Sequence, residues 1–228
     1  MKPAERLVAH LRSWLGEWPP PPGRLRVVGS ALREKPGWDG AIRPVAGVLT
    51  DSGGVLSVPP ALANDVQVRV TRAASVADAL VLAGAILPAA LDRPKSHLGY
   101  GVFRWCRAPM DSSEIGTWLP RSDPRVPEWL RPFNGEVLVA LGPDDAYQAG
   151  VGRKIHDAYG HELSVGTEPA HRSKGLARLL VAQATRHVLA DGAVATYLHD
   201  HANIASARVA EAVGFPDEGW QIVGMWAD

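Results

Sequence analysis

Apolar positions in residues 4–18 fall at Leu7, Val8, Leu11, Trp14, Leu15 and Trp18. This is the i, i+4, i+7 rhythm of one helical face and predicts an amphipathic helix. The run Pro19–Pro22 ends it, because proline has no N–H for a helical bond. Between 24 and 72 the apolar stretches are short and separated by turn residues. They predict strands at Leu25–Val28, Val45–Leu49, Val55–Val58 and Val66–Val70, with Asp51-Ser52-Gly53-Gly54 as a turn. Residues 75–90 are apolar nearly all round and predict a buried helix. Gly101–Cys106 reads as a strand, and a connection rich in proline and tryptophan covers 107–134.

Beyond 135 the pattern sharpens. Glu136–Leu141 predicts a strand, Gly142-Pro143-Asp144-Asp145 a hairpin turn, and Ala146–Lys154 and His161–Thr167 two more strands. A helix follows over 173–190, with Leu176, Leu180, Ala184 and Val188 at i, i+4 spacing and Asp191-Gly192 as its stop. Ala193–Leu198 is a further strand. Asn203 caps a last helix carrying Ala205, Val209, Ala212 and Val213, and Trp220–Trp226 closes as a strand. The order predicts an α/β (α+β) fold. We divide the chain into an N-terminal α/β portion, 1–130, of open fold, and a second domain, 131–228.

Composition narrows the classes. The 228 residues are 46% hydrophobic and 21% charged, which is globular rather than disordered. Lys plus Arg and Asp plus Glu are 24 each, so no bulk attraction draws the chain to nucleic acid or anionic membrane. An anion site must be local. The single cysteine, Cys106, precludes an internal disulfide and fits a buried, inert thiol in a cytoplasmic protein. The N-terminus lacks a signal-peptide core, and no stretch approaches the ~20 apolar residues of a membrane span.

One stretch reverses the usual polarity of a helix. In His171-Arg172-Ser173-Lys174-Gly175-Leu176-Ala177 the cations crowd the positive N-terminal end, where negative charge is favoured. Gly175 lets a ligand approach the backbone, and the first helical N–H groups lack internal partners. A bound diphosphate turns the cations from a cost into a gain. The spacing is neither a Walker loop nor a dinucleotide fingerprint.

Arg172-Ser173-Lys174-Gly175-Leu176-Ala177 resembles the (Gln/Arg)-x-x-Gly-x-(Gly/Ala) loop of the GCN5-related N-acetyltransferases. Thr167–Arg172 resembles that family's lead-in, and Asn203-Ile204-Ala205-Ser206 with Val213-Gly214-Phe215 resembles its second motif. The resemblance covers about 135–228, and Val66–Leu82 could be the family's first strand and helix. It implies a mixed, splayed sheet flanked by helices and acetyl-CoA as co-substrate, with no metal. Leu163, Val165, Gly166 and Thr167 would bind pantetheine. Arg172, Ser173, Lys174, Gly175, Leu176 and Ala177 would wrap the diphosphate, with Asn203 and Ser206 beside it.

The implied reaction is direct attack of an amine on the thioester in a ternary complex. Ungapped counting places His161 at the family's base position, with Glu162 next to it, and both stay candidates. The family's tyrosine acid is replaced by Ala210, so Ser206, Tyr197 or water would protonate the leaving thiolate. His199, Tyr197 and Trp220 are candidate acceptor contacts, and the N-terminal portion is expected to cover the acceptor side. The acceptor is expected to be an amine of a small molecule, amino acid or peptide terminus. Oligomeric state stays open, with a homodimer one option. The alternative is a non-catalytic acyl-CoA-binding sensor or interaction module, which the missing tyrosine favours. His199 and His201 could ligate a metal with His156 or His97 as a third ligand, but nothing fixes the distances and no cysteine assists, and no Gly-x-Ser-x-Gly marks a hydrolase.

Overall fold

Leu7, Leu11 and Leu15 follow one another at i, i+4 and all are buried, and they set the inward face of helix α1 (Pro3–Leu15). The computed structural model describes residues 1–227. Its chain divides into two compact units. The first comprises Met1–His10 and Arg104–Asp217, the second Leu11–Phe103 and the chain from Glu218 onward. The sequence reading drew one boundary near 130, whereas the units have their chain crossings after His10, Phe103 and Asp217.

The second unit holds β1 (Leu25–Gly29), β2 (Ala46–Thr50), β3 (Gly53–Val58), α2 (Pro60–Val70), α3 (Val76–Ala90), most of β4 (Ser96–Trp105), and the closing strand, β10 (Gln221–Ala227). β1 runs parallel to β3, and β3 pairs antiparallel with β2. β10 then lies between β2 and β4, antiparallel to both. The expected strand at Val66–Val70 is the end of helix α2 instead. Pro60 starts that helix at its first turn, where a missing N–H costs nothing. Val66 and Val70, four apart, are buried, while Val68 between them is 55% exposed. The three valines have helical rather than alternating burial. Leu25, Val27, Leu56, Val66, Val70, Leu80 and Val223 are among the residues of this unit's core.

The first unit holds β5 (Thr117–Leu119), β6 (Val137–Leu141), β7 (Tyr147–Ile155), β8 (Gly160–Thr167), α4 (Leu176–Ala190), β9 (Val194–His199) and α5 (Ile204–Val213). Its strands lie in the order β9-β8-β7-β6-β5, with β8 and β9 parallel and the other pairs antiparallel. This is the expected mixed sheet. The connection predicted over 107–134 contains β5 and a short 3-10 turn at Glu128–Leu130. Helix α4 packs Leu180, Val181, Ala184 and Val188 against Leu138, Val151, Leu163 and Tyr197. Cys106 is fully buried in this core, and burial pushes its thiol up to about 12. The N-terminal part of α1 is tied to the same unit. Arg6 donates to the carbonyls of Leu189 and Ala193 at 2.7 and 3.1 Å, and His10 Nδ1 lies 2.9 Å from Asp157. No helix among the described residues is long and apolar enough to cross a membrane.

Candidate active site

β8 is held along its whole length on one side only. Its antiparallel ladder with β7 runs from Ile155↔His161 to Ala149↔Thr167. Its parallel ladder with β9 has four rungs and stops at Leu163↔Tyr197. The rungs Gly160–Leu163 are buried, and Ser164, Val165, Gly166 and Thr167 beyond them are half-buried. Past the last rung β9 ends at His199 and turns through Asp200, whose carboxylate accepts the Ala202 N–H at 2.7 Å. Half of one edge of β8 is thus left open, which is the splay. Trp129 covers the other approach to this segment, since a Cβ on Gly166 would lie 2.7 Å from its ring. The Tyr147 hydroxyl donates to the Gly166 carbonyl at 3.4 Å.

The open half of β8 leads directly into the loop that opens α4, the candidate anion site. Pro169–His171 forms a 3-10 turn, and Arg172 Nε donates to the Thr167 carbonyl at 3.4 Å. Ser173 and Gly175 both have left-handed backbone, at φ of 61° and 78°. For serine this is an uncommon conformation, and alternating handedness aims successive N–H groups into one concavity. Among the described residues, the backbone N–H groups of Ser173 through Arg178 have no acceptor, and the first one satisfied is Leu179, by the Gly175 carbonyl. Lys174 Nζ stands 3.4 Å from His171 Nδ1. Arg178 folds back toward the loop, with Nη2 4.0 Å from where a Gly175 Cβ would be. The first turn of α4 contains no acid. Leu176 and Ala177 supply N–H groups to the same concavity.

The two candidate bases lie on the closed part of the ladder and face opposite sides of the sheet. His161 is 7% exposed, and its Nδ1 has no hydrogen-bond partner. Burial, reinforced by Arg153, lowers its pKa to about 4, so the ring is neutral near pH 7. Glu162 is 5% exposed and lies opposite Lys154, whose ammonium contacts Oε1, while His156 Nε2 is 3.2 Å from Oε2. Burial alone would raise this carboxyl, but Lys154 and His156 together outweigh it and hold the group at about 2.

Across the gap, Tyr197 and His199 share the face of Leu163. Tyr197 is 2% exposed, with the Ser206 side chain near its hydroxyl, and burial raises its pKa. Asn203 Oδ1 accepts the Ser206 N–H at 3.0 Å and so caps α5. Ala210 is fully buried in the core. His199 lies against Arg104, whose Nε donates to its Nε2 at 3.0 Å, and His199 Nδ1 faces the Asp200 carbonyl at 2.9 Å. These contacts engage both ring nitrogens and leave neither for a metal ion. Trp220 belongs to the other unit, where its ring stands 5.7 Å from Trp18 and 6.0 Å from Phe103.

The pattern reading passed over three residues that shape this region, Arg104, Lys154 and Arg178, and weighed a fourth, His156, only as a metal ligand. Arg104 was visible as a single cation inside the apolar run Gly101–Cys106. Lys154 faces Glu162 only once the register set by the β7–β8 turn is known, and His156 joins them from that turn. Arg178 was visible as a cation in a first helical turn without acids.

The chain matches the acetyltransferase (GNAT) family over residues 102–215, half of its length. None of the curated proteins matches it significantly. Among solved structures, a GNAT-family chain from Novosphingobium aromaticivorans is similar at 19% identity and a TM-score of 0.49, covering 58% of this chain and 67% of that one. A GCN5-related N-acetyltransferase-like protein from Streptococcus suis has 15% identity and a TM-score of 0.46, with coverage of 75% and 71%. Salmonella typhimurium yncA, whose structure holds acetyl-CoA, has 22% identity and a TM-score of 0.32 over 40% of this chain and 64% of its own. With half the sequence matched, and with the loop before α4 and the open strand both lying inside the matched segment, the chain belongs to the GNAT acetyltransferase family.

Proposed function

We propose that this protein transfers the acetyl group of acetyl-CoA to an amine by direct attack within a ternary complex. The observation that carries the proposal is the run of six unpartnered backbone N–H groups at Ser173–Arg178, flanked by Arg172 and Lys174 and continuous with the open half of β8. The donor set fits the diphosphate of coenzyme A: neutral N–H groups for its oxygens and cations for its charge. Acetyl-CoA, when bound, supplies an activated thioester. The chain's part is to position and polarise. Val165, Gly166 and Thr167 offer backbone groups along the open edge to pantetheine. An N–H there would polarise the thioester carbonyl as charge develops on its oxygen, and alignment of the two reactants would contribute much of the rate.

An alkylammonium must lose a proton before it attacks. Of the two candidates, His161 is favoured as base. It is neutral and has an unpaired nitrogen, whereas both oxygens of Glu162 are engaged. Ser206, near the Tyr197 phenol, is the proposed proton source for the departing thiolate, in place of the family's tyrosine at the position of Ala210. A thiolate is a good leaving group, its acid titrating near ~8.5, so a hydroxyl pair or water suffices.

The test has two stages. Thermal melts with and without acetyl-CoA should show a rise at saturating ligand, since ~100 times Kd adds about 2.7 kcal/mol, and Arg172→Ala should remove most of it. A panel of amines, amino acids and peptides is then assayed for CoA release. Turnover with any of them supports the enzyme. A clear melt shift without turnover on the whole panel would instead establish the acyl-CoA-binding sensor, the reading that the buried Ala210 favours. No shift at millimolar acetyl-CoA rejects both.

A further inference from the structure

The second unit buries a cation that no anion neutralises. Arg33 lies in a 3-10 turn, Ala31–Glu34, between β1 and β2, and is 4% exposed. A guanidinium has five N–H donors. Here Nη2 donates to the Trp14 carbonyl at 2.9 Å, Nε is buried without a partner, and Nη1 has none among the described residues. No carboxylate among those residues pairs with Arg33. Glu34 beside it is exposed, and Asp39 is held by both Nη atoms of Arg43, at 2.7 and 2.6 Å. Burial, reinforced by the like charge of Arg43, lowers the Arg33 guanidinium to about 10.

Arginine is almost never buried unless paired, because desolvating the charge costs more than one neutral hydrogen bond returns. Trp14 stands in the last turn of α1, whose dipole offers at best about half a unit charge. Most of the cost therefore remains. The placement is fixed by the fold. Ser30 caps the turn, its N–H donates to the Val58 carbonyl at 2.9 Å, and the Arg33 N–H donates to the Ser30 carbonyl at 3.0 Å. Ser57, next to Val58 on β3, is fully buried, and its hydroxyl also lacks a partner. Its register neighbour Val28 lies 2.9 Å from where a Gly16 Cβ would be, so Ser57 faces the end of α1, as Arg33 does. From Ala31 to Arg43 the chain is otherwise exposed, save the half-buried Trp38. Arg33 is thus the buried member of a surface segment, within reach of a ligand.

The missing partner is one negative charge, since Arg43 already has its own carboxylate. The unused N–H donors suit the two oxygens of a carboxylate, whereas a dianion would bring a surplus charge into a dry site. We infer that Arg33 anchors a binding site for a small organic monocarboxylate in the second unit. All residues of this site belong to that unit and none to the loop before α4, so the inference does not rest on the acetyl-CoA reading.

The experiment is a thermal melt of the full chain near neutral pH, without acetyl-CoA, in sodium acetate, butyrate, benzoate, chloride or phosphate at constant ionic strength. At least one carboxylate should raise the native Tm over chloride, by about 3–6 °C at ~10 times its Kd. Arg33→Met should abolish the rise, and Arg33→Lys should keep part of it, as a charge without the fork. Without ligand, Arg33→Met should melt no lower than the native chain, because it removes an uncompensated charge. A ligand-free Arg33→Met chain that melts well below native, or does not fold, would overturn the inference and make Arg33 a clamp on α1. The inference also fails if no carboxylate raises the native Tm, if chloride or phosphate raises it as much, or if the rise survives in Arg33→Met.

Discussion

Arg104 makes four hydrogen bonds from a side chain that is 5% exposed: to His199 Nε2, Glu211, the Phe215 carbonyl and Asp217. Glu211 and Asp217 are exposed enough to be solvated by water if it is lost. The His199 ring and the Phe215 carbonyl are not. Arg104→Met should therefore destabilise the chain by about 2–3 kcal/mol in urea unfolding, with Arg104→Lys recovering only part, since an ammonium cannot span the same partners. His161 gives a pH signature. Its folded pKa, about 4, lies below the ordinary 6.5. The unfolded chain thus takes up a proton first, and stability should fall as pH drops from 6.5 toward 4, at up to about 1.4 kcal/mol per unit. His161→Gln should flatten this limb of a Tm-against-pH curve. An unchanged slope in the variant would show that His161 is not its source. The acid loss from Glu162 is separate, beginning below its ordinary 4.5 and continuing toward 2. Residue types were legible here and their states were not. Both His161 and Glu162 could be named from the sequence, but the engagement of Glu162 depends on Lys154 and His156, which a hairpin turn brings together.

At the scale of elements, α4 does more than follow the candidate anion loop. Gln183 on its buried face accepts the N–H groups of Ile115 and Gly116 at 3.1 and 2.9 Å and donates to the Gly116 carbonyl at 3.0 Å. Arg186, three residues on, donates to the Met110 carbonyl and the Ser112 hydroxyl. The segment 110–116 has little secondary structure of its own, so α4 satisfies its backbone. Gln183→Ala should cost about 2–3 kcal/mol by orphaning buried groups. Amide exchange should quicken over 110–117 well before the strands are affected. Uniform acceleration along the chain would mean that the contact is not local. Long periodic elements were readable: α4, α5 and β6–β9 fall within about three residues of their expected ends. The misreading at Val66–Val70 has a plain cause. Five residues with valine at every second position fit a strand and also place two of three valines on one helical stripe, and only Pro60, upstream of the run, decides between them. The splay was not readable from either strand alone, because it is a property of where their pairing stops.

Neither unit of the whole molecule is a continuous stretch of chain. The first takes in Met1–His10, and His10 fills the space over Gly160 that any side chain there would need. The second takes β10, which stands between β2 and β4. Removing residues from 218 onward should strip that sheet of an interior strand and leave two unpaired edges, a state prone to aggregation. The truncated chain should accumulate in the insoluble fraction, and a soluble monomer with native circular dichroism would contradict this. These exchanges were invisible to a reading that moves along the chain, because the Pro- and Trp-rich connection over 107–134 reads as a junction, whereas strand pairing across distant segments leaves no local mark. The strand order also bears on synthesis. β4 leaves the ribosome more than a hundred residues ahead of β10, the neighbour it pairs with throughout β10's length. The second unit must wait through the emergence of nearly all of the first, with β2 and β4 unjoined, and such long-range closure is slow. This nascent chain therefore has a long interval in which a chaperone has something to hold.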